Sequence, residues 1–175
     1  MLKTQTLIIL CGEAFSGKST LSNKIANHFG VKIIGRDEIY FAIEKILALE
    51  STPEKDDGDL WKNLWPLVLQ GVKNQLLLGN SVVIDDNCLY LRQRDELRSI
   101  AREIGVKSLL IFLDILTEVL KERKEQNKIL KNRHDVPSAW LAEDSELFER
   151  PTEKENPIIY TSDETLDAFV GKLKI

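Results

Sequence analysis

The sequence predicts a single α/β domain built on a parallel β-sheet. Short apolar runs alternate along the chain with stretches of helical periodicity. A glycine-rich turn joins the first apolar run to the first helical stretch. The length of 175 residues suits one domain, and 43% hydrophobic and 30% charged residues are ordinary for a globular chain.

Thr6 to Cys11 reads as the first strand, running straight into a glycine motif, which a signal peptide would not do. A helix is expected from about Lys18 to Phe29, with Leu21, Ile25 and Phe29 on one face and Gly30 as its stop. Val31 to Gly35 is a short strand, and Asp37 to Leu49 has helical spacing at Ile39, Ile43, Ile46 and Leu47. Ser51 to Asp59 is polar and acidic, a loop. A third helical region carries Trp61, Leu64, Trp65, Val68, Val72 and Leu76, and Pro66 must kink it or start a new helix. Gly79-Asn80 ends it. Ser81 to Ile84 is a buried strand ending in Asp85-Asp86, Leu91 to Ile104 is an amphipathic helix, and Lys107 to Leu113 is another strand. A charged helix runs from Thr117 to about Lys131, and Pro137 to Phe148 is expected to be helical, with Pro137 in its first turn. Ile158 to Tyr160 is the last strand, and Ser162 is expected to cap a final helix.

No apolar run approaches the roughly 20 residues of a membrane-spanning helix. The two cysteines, Cys11 and Cys88, suggest neither a disulfide framework nor a zinc site, so free buried thiols and a cytoplasmic location are expected. His28 suits a helix end, and neither it nor His134 is assigned to chemistry. Trp61 and Trp65 read as core residues, with stacking on an acceptor ring as the alternative.

Gly12-Glu13-Ala14-Phe15-Ser16-Gly17-Lys18-Ser19, with Thr20 following, fits G-x-x-x-x-G-K-[ST] between a strand and a helix. Glycines let backbone N–H groups turn toward phosphate oxygens, and the helix N-terminus favours the same anions. Lys18 is expected to reach the β and γ phosphates of ATP, and Ser19 to offer its hydroxyl to Mg²⁺. Asp85, at the carboxyl end of a strand, can hold Mg²⁺ or one of its waters; a solvated turn is the alternative, more strongly so for Asp86. Asp37, after the second strand, suits a base that takes the proton of an acceptor hydroxyl, or a helix cap, or both.

From Lys121 to Arg133 six basic residues (Lys121, Arg123, Lys124, Lys128, Lys131, Arg133) outnumber Glu122 and Glu125, so the segment is +4 and the rest of the chain −8. A charge run usually marks a solvated helix face. Its place before the last strand also suits a closing lid, at about 121–137, whose Arg123 and Arg133 would stabilise charge on a moving phosphoryl group.

Together these residues resemble the small P-loop kinases related to the 5′-kinase domain of phage polynucleotide kinase. That group also includes seryl-tRNA kinase, chloramphenicol phosphotransferase and zeta-type toxins. The resemblance runs through Gly12 to Thr20, Gly35-Arg36-Asp37-Glu38, Val82 to Asn87 with Arg94, Leu113-Asp114 through Arg123, Val136-Pro137, and Phe148 to Pro151 with Glu155. It implies a P-loop kinase fold: a five-stranded parallel sheet in the order 2-3-1-4-5, flanked by helices, with a mobile helical lid. Three positions depart from the pattern. Tyr40 and Asn127 stand where the polynucleotide kinases carry arginines, and Cys88 stands where many relatives have asparagine.

The resulting expectation is an ATP- and Mg²⁺-dependent kinase that phosphorylates a hydroxyl of a small molecule or a nucleic-acid end. A nucleotide-driven binding module without an acceptor is the rival from another class, and a polynucleotide 5′-hydroxyl kinase the rival within it. With a net charge of −4 and a +4 excess in one segment against −8 elsewhere, long single strands should bind weakly, with a Kd above roughly 1 µM at physiological salt. A salt titration of binding to a labelled oligonucleotide checks this. Submicromolar affinity with a steep negative salt slope would instead favour the polynucleotide acceptor.

Overall fold

A computed structural model describes residues 4–47, 63–130 and 144–174. Five parallel strands, β1 (Thr6–Cys11), β2 (Lys32–Gly35), β3 (Val82–Asp85), β4 (Lys107–Leu113) and β5 (Ile158–Tyr160), form one sheet in the order β2-β3-β1-β4-β5. This is the order the resemblance implied. The helices are α1 (Lys18–Phe29), α2 (Arg36–Leu47), α3 (Trp65–Leu77), α4 (Leu91–Ile104), α5 (Thr117–Leu130) and α6 (Leu166–Lys172).

All six residues of β1 are buried, as expected for the central strand of a sheet covered on both faces. Alternate side chains feed two cores. Leu7, Ile9, Val82, Ile84, Leu110 and Phe112 meet Trp65, Val68, Val72 and Leu76 of α3 and Leu97 of α4. Ile8, Leu10, Val83, Ile111 and Leu113 meet Leu21 and Ile25 of α1 and Phe169 and Val170 of α6. Among the described residues no helix is long and apolar enough to cross a membrane.

Most boundaries fall within a residue or two of expectation. Pro66 starts a helix, sitting in the first turn of α3 where a missing N–H breaks no bond. The final helix is a correction. It is capped by Thr165, whose Oγ1 accepts from the Ala168 N–H at 3.3 Å, and not by Ser162. The Tyr160 hydroxyl donates to the Glu164 carbonyl at 3.0 Å, holding the intervening turn out of the helix. Residues 144–147 are helical. Phe148, the expected end of that helix, lies just beyond it. Residues 137–143 of the expected helix, the acidic loop 51–59, Trp61, His134, Arg133 and the end of the expected lid lie outside the described residues.

One buried arginine ties the carboxyl edge of the sheet together. Arg94 of α4, 1% exposed, donates from Nη1 to the carbonyls of Cys88 (2.9 Å) and Leu89 (3.3 Å) in the loop after β3. From Nε and Nη2 it grips both carboxylate oxygens of Glu155 at 2.8 and 2.9 Å, in the turn that leads into β5. Arg98 adds a second cation at 2.6 Å from Glu155 Oε2. Partial burial alone would raise the Glu155 pKa; hydrogen bonds from Arg94 and Arg98 outweigh it and bring the carboxyl down to about 2 from 4.5.

A carboxyl with a depressed folded-state pKa contributes stability that is present above its unfolded value and lost as pH falls toward its folded value. Glu155→Gln leaves Arg94 buried without its counter-charge and should cost about 3–5 kcal/mol at neutral pH. The variant should also lose less stability than the wild type between about pH 4.5 and 2. Urea unfolding midpoints at neutral and acid pH check both; parallel losses for the two proteins would contradict the assignment.

Candidate active site

The site sits at the carboxyl ends of β1, β2 and β3, where ligands bind in open α/β sheets. Gly12 at the end of β1 must be glycine. Its φ is 155°, and a Cβ there would come within 3.0 Å of both the Leu113 carbonyl and Ser16 Oγ. Phe15 holds φ 64°, a strained conformation for a bulky residue and one found where a loop is shaped for function. Gly17 (φ 103°) ends the turn and caps α1.

The turn curls around Lys18. Nζ donates to the carbonyls of Gly12 (2.9 Å) and Glu13 (2.8 Å) and lies 3.4 Å from Ser16 Oγ. Burial lowers its pKa, while the charges of Asp85 and Asp86 push the other way. Arg123 of α5 approaches from outside. Its Nη1 donates to the carbonyls of Phe15 (3.1 Å) and Ser16 (3.0 Å), so the expected lid arginine braces the strained part of the loop.

Ser19 and Asp85 converge. Ser19 Oγ is 3.3 Å from Asp85 Oδ1, and Ser22 Oγ donates to Oδ2 at 3.0 Å. Burial raises the Asp85 pKa against these hydrogen bonds and Lys18. A hydroxyl beside a carboxylate, at the mouth of a phosphate-shaped turn, is an oxygen donor set that suits Mg²⁺, which is held through few protein ligands and keeps several waters.

The neighbouring Asp86 has another task. Its Oδ1 accepts from Arg36 Nη2 at 3.1 Å and from the Cys88 N–H at 3.0 Å, and its Oδ2 lies 2.9 Å from Arg36 Nε. Arg36 also lies over the Trp65 ring, 5.1 Å from its centroid. Asp86 thus shapes the loop, and Trp65 packs in the core, with Nε1 donating to Glu96.

Asp37 lies in the first turn of α2, at the end of β2, whose Gly35 pairs with Asp85. The residue as a whole is exposed at this edge. Crowding by protein atoms, then the charges of Asp86 and Asp85, raise its pKa against Lys18 and Arg36. It forms no side-chain hydrogen bond within the described residues, so nothing there supports the helix-cap alternative. Residues 144–147 reach the same edge. Ser145 Oγ donates to Glu13 Oε2 at 2.8 Å, and Asn87 Nδ2 lies 3.4 Å from Asp144 Oδ2.

On the opposite side of the turn, toward β4 and β5, lies a cavity of about 350 Å³. Gly17 of the turn, Thr20 of α1, Arg123, Asn127 and Leu130 of α5, and Tyr160 at the end of β5 are among its walls.

Sequence reasoning missed Ser22, the Arg36–Asp86 pair and Ser145. Ser22 was within reach, because three residues separate it from Ser19 and put both on one helix face. The other contacts join segments far apart in the chain.

A glycine-rich turn of G-x-x-x-x-G-K-[ST] sequence on the central strand of a 2-3-1-4-5 sheet defines a nucleotide-binding P-loop protein with the fold of the P-loop kinases. A family model described as an AAA domain matches residues 7–151, and the chain belongs to that family. It is 30% identical over 154 residues to the xylose import ATP-binding protein XylG of Histophilus somni, covering 81% of this chain and 30% of that protein. It is 30% identical over 152 residues to L-seryl-tRNA(Sec) kinase of Methanococcus maripaludis, covering 79% of this chain and 56% of the kinase. The chain therefore spans about a third to half of the length of these curated relatives. A gluconokinase from Sinorhizobium meliloti 1021 shares the fold at a TM-score of 0.64 and 22% identity, over 98% of this chain and 90% of that one.

Asp85→Asn keeps size and some hydrogen bonding but removes the anion beside Ser19. It should raise the Mg²⁺ concentration needed for binding of an ATP analogue by about 10–100-fold, and Ser22→Ala should do so more weakly. Calorimetric titration at several Mg²⁺ concentrations checks this; an unchanged Mg²⁺ requirement would remove Asp85 from the metal site.

Proposed function

We propose that this protein is an ATP-dependent phosphotransferase that moves the γ-phosphoryl group onto a hydroxyl of a small molecule. One observation carries the reading. Asp37, an exposed residue whose carboxyl pKa is raised by partial burial and by the charges of Asp86 and Asp85, shares the carboxyl edge of the sheet with Lys18 and Asp85. A nucleotide switch has no need of a base there, whereas a kinase needs one to take the acceptor proton. The kinase relative and the kinase fold support the same reading.

In this proposal the backbone of Gly12 to Thr20 cradles the phosphates. Lys18 turns its ammonium from the loop carbonyls toward the β and γ phosphates. Ser19 and Asp85 hold Mg²⁺, which when bound neutralises phosphate charge. Asp37 orients the acceptor hydroxyl and accepts its proton. Arg123 presents charge to the transferred group from the lid side, with Arg133 as the second lid cation and the lid at about 121–137 of a single kinase domain. Free buried thiols suit a reducing compartment, so the cytoplasm belongs to the proposal; burial pushes the Cys11 thiol up to about 12, where it is inert.

Within the wider family we favour the polynucleotide-kinase-like branch on the Gly35-Arg36-Asp37-Glu38 and Val82-to-Asn87 segments. A polynucleotide acceptor is disfavoured. Tyr40 removes a cation from the acceptor side, and Arg36 there is engaged with Asp86.

An acceptor screen with labelled ATP tests the proposal, since a kinase consumes more ATP with the right hydroxyl compound and a switch does not. Asp37→Asn should lower transfer on the order of 10²–10⁴-fold with near-normal nucleotide affinity. In the wild type, kcat/KM should begin to fall at a higher pH than an ordinary aspartate of pKa 3.8 would dictate, because the base must be ionised and its pKa is raised. Transfer unchanged in the variant would remove Asp37 from the chemistry.

A further inference from the structure

The pairing of β2 with β3 continues beyond the last backbone partners. Gly35 and Asp85 are the final residues in register. They lie so close that a Cβ on Gly35 would come within 3.3 Å of the Asp85 carbonyl oxygen. The next residue on each side extends the pairing through side chains. Arg36 Nε lies 2.9 Å from Asp86 Oδ2, and Nη2 donates to Oδ1 at 3.1 Å. Each of the two residues is only 9% exposed. The guanidinium also lies over the Trp65 ring, and Asp86 Oδ1 also accepts the Cys88 N–H. A two-point arginine–carboxylate pair fixes geometry as well as charge, and this one is held from both ends.

The neighbours of the pair give it a role. Arg36 is bonded directly to Asp37, and Asp86 directly to Asp85. Locking Arg36 to Asp86 therefore locks the first turn of α2, and Asp37 within it, against the end of β3. The pair also reaches Asp37 through charge. The charged groups around Asp37 are Lys18 of α1, Asp85 and Asp86 at the end of β3, and Arg36 and Glu38 of its own helix. After partial burial, Asp86 is the largest influence raising the Asp37 pKa, and Arg36 opposes it. Buried charges are screened little by salt, so both influences persist in solution.

We propose that Arg36 and Asp86 are positioning residues for Asp37: their ion pair anchors the carboxylate at the acceptor edge and tunes its basicity through two opposed charges. The proposal rests on the phosphotransferase reading in taking Asp37 to be the base; the coupling of charges does not depend on it. Two signs follow from electrostatics, because a nearby anion disfavours an ionised carboxylate and a nearby cation favours it. Loss of the Asp86 charge makes Asp37 a weaker base, and loss of the Arg36 charge makes it a stronger one. A purely structural strut would not produce opposite effects from its two halves.

The test is an NMR titration of the whole chain, labelled with ¹³C at its aspartate carboxyls, without nucleotide or Mg²⁺. The Asp37 signal is the one lost in Asp37→Asn. In Asp86→Asn, which keeps an acceptor for the Cys88 N–H, Asp37 should titrate at a lower pH than in the wild type. In Arg36→Met it should titrate at a higher pH. The double variant Arg36→Met/Asp86→Asn leaves no unpaired buried charge and tolerates the loss better than either single change. There Asp37 should again titrate below the wild type, because Asp86 outweighs Arg36. Arg36→Lys keeps the charge without the two-point grip. Its Asp37 should titrate close to the wild type, while phosphoryl transfer falls about 10–100-fold with little change in KM for ATP. Melting temperatures identify the folded variants. Identical titration of Asp37 in the wild type and the folded charge variants would overturn the inference, as would shifts of the same sign in Asp86→Asn and Arg36→Met. So would undiminished transfer in Arg36→Lys. Opposed shifts in a protein that phosphorylates no acceptor would support the charge coupling while sinking the phosphotransferase reading.

Discussion

The guanidinium of Arg94 is almost wholly removed from water, and each of its three nitrogens donates to a protein acceptor. Such a charge is tolerable only when its partners are held in place. Here they are the loop after β3 and the turn before β5, the latter 61 residues beyond Arg94 in the chain. The same loop accepts the Gly12 N–H through the Asn87 carbonyl at 3.2 Å, at the start of the phosphate turn. The position of the turn relative to Asp85 and Asp86 therefore depends on a buried ion pair that touches no part of the expected chemistry.

A second constraint is charge crowding. At the ends of three adjacent strands, Lys18, Asp85 and Asp37 lie close enough to feel one another's charge and that of Asp86. The three carboxylates have diverged through their partners. Asp86 is neutralised by Arg36, Asp85 is held by two serine hydroxyls, and Asp37 has no such partner among the described residues. Neighbouring acids acquire separate roles in this way. The carboxylate beside Ser19 suits a cation, the one paired with arginine suits a strut, and the one left exposed with a raised pKa suits a base.

On the other side of the loop the strain at Phe15 is met by Arg123, which anchors two successive carbonyls of the turn. Any movement of α5 away from the loop releases these carbonyls, so the expected lid and the phosphate turn are mechanically linked. The cavity walled by Asn127 and Tyr160 opens on this side, away from Asp37. A nucleotide and an acceptor would thus approach Lys18 from opposite sides.

Much of this was legible in the sequence. The glycine spacing of Gly12 to Ser19, the buried run of β1 and the four-residue spacing of α1 identify the phosphate turn without coordinates, because the signals are local and the backbone geometry they require is narrow. Asp37 and Asp85 could be singled out because a carboxylate just after a strand sits at the ligand edge in any open parallel sheet. What the tertiary structure alone decided was the allocation of partners. Arg36 and Asp86 are separated by 50 residues, Arg94 and Glu155 by 61, and Arg123 and Phe15 by 108. Periodicity and local turn chemistry carry no information about such pairs, so they could not show that Asp86 is a strut. Nor could they show that Thr165 takes the cap expected of Ser162. Asn127 is a further case. In the sequence it stands on a charged helix where the resembled kinases carry an arginine; only the packing of α5 beside the loop and β5 puts it in the wall of a cavity.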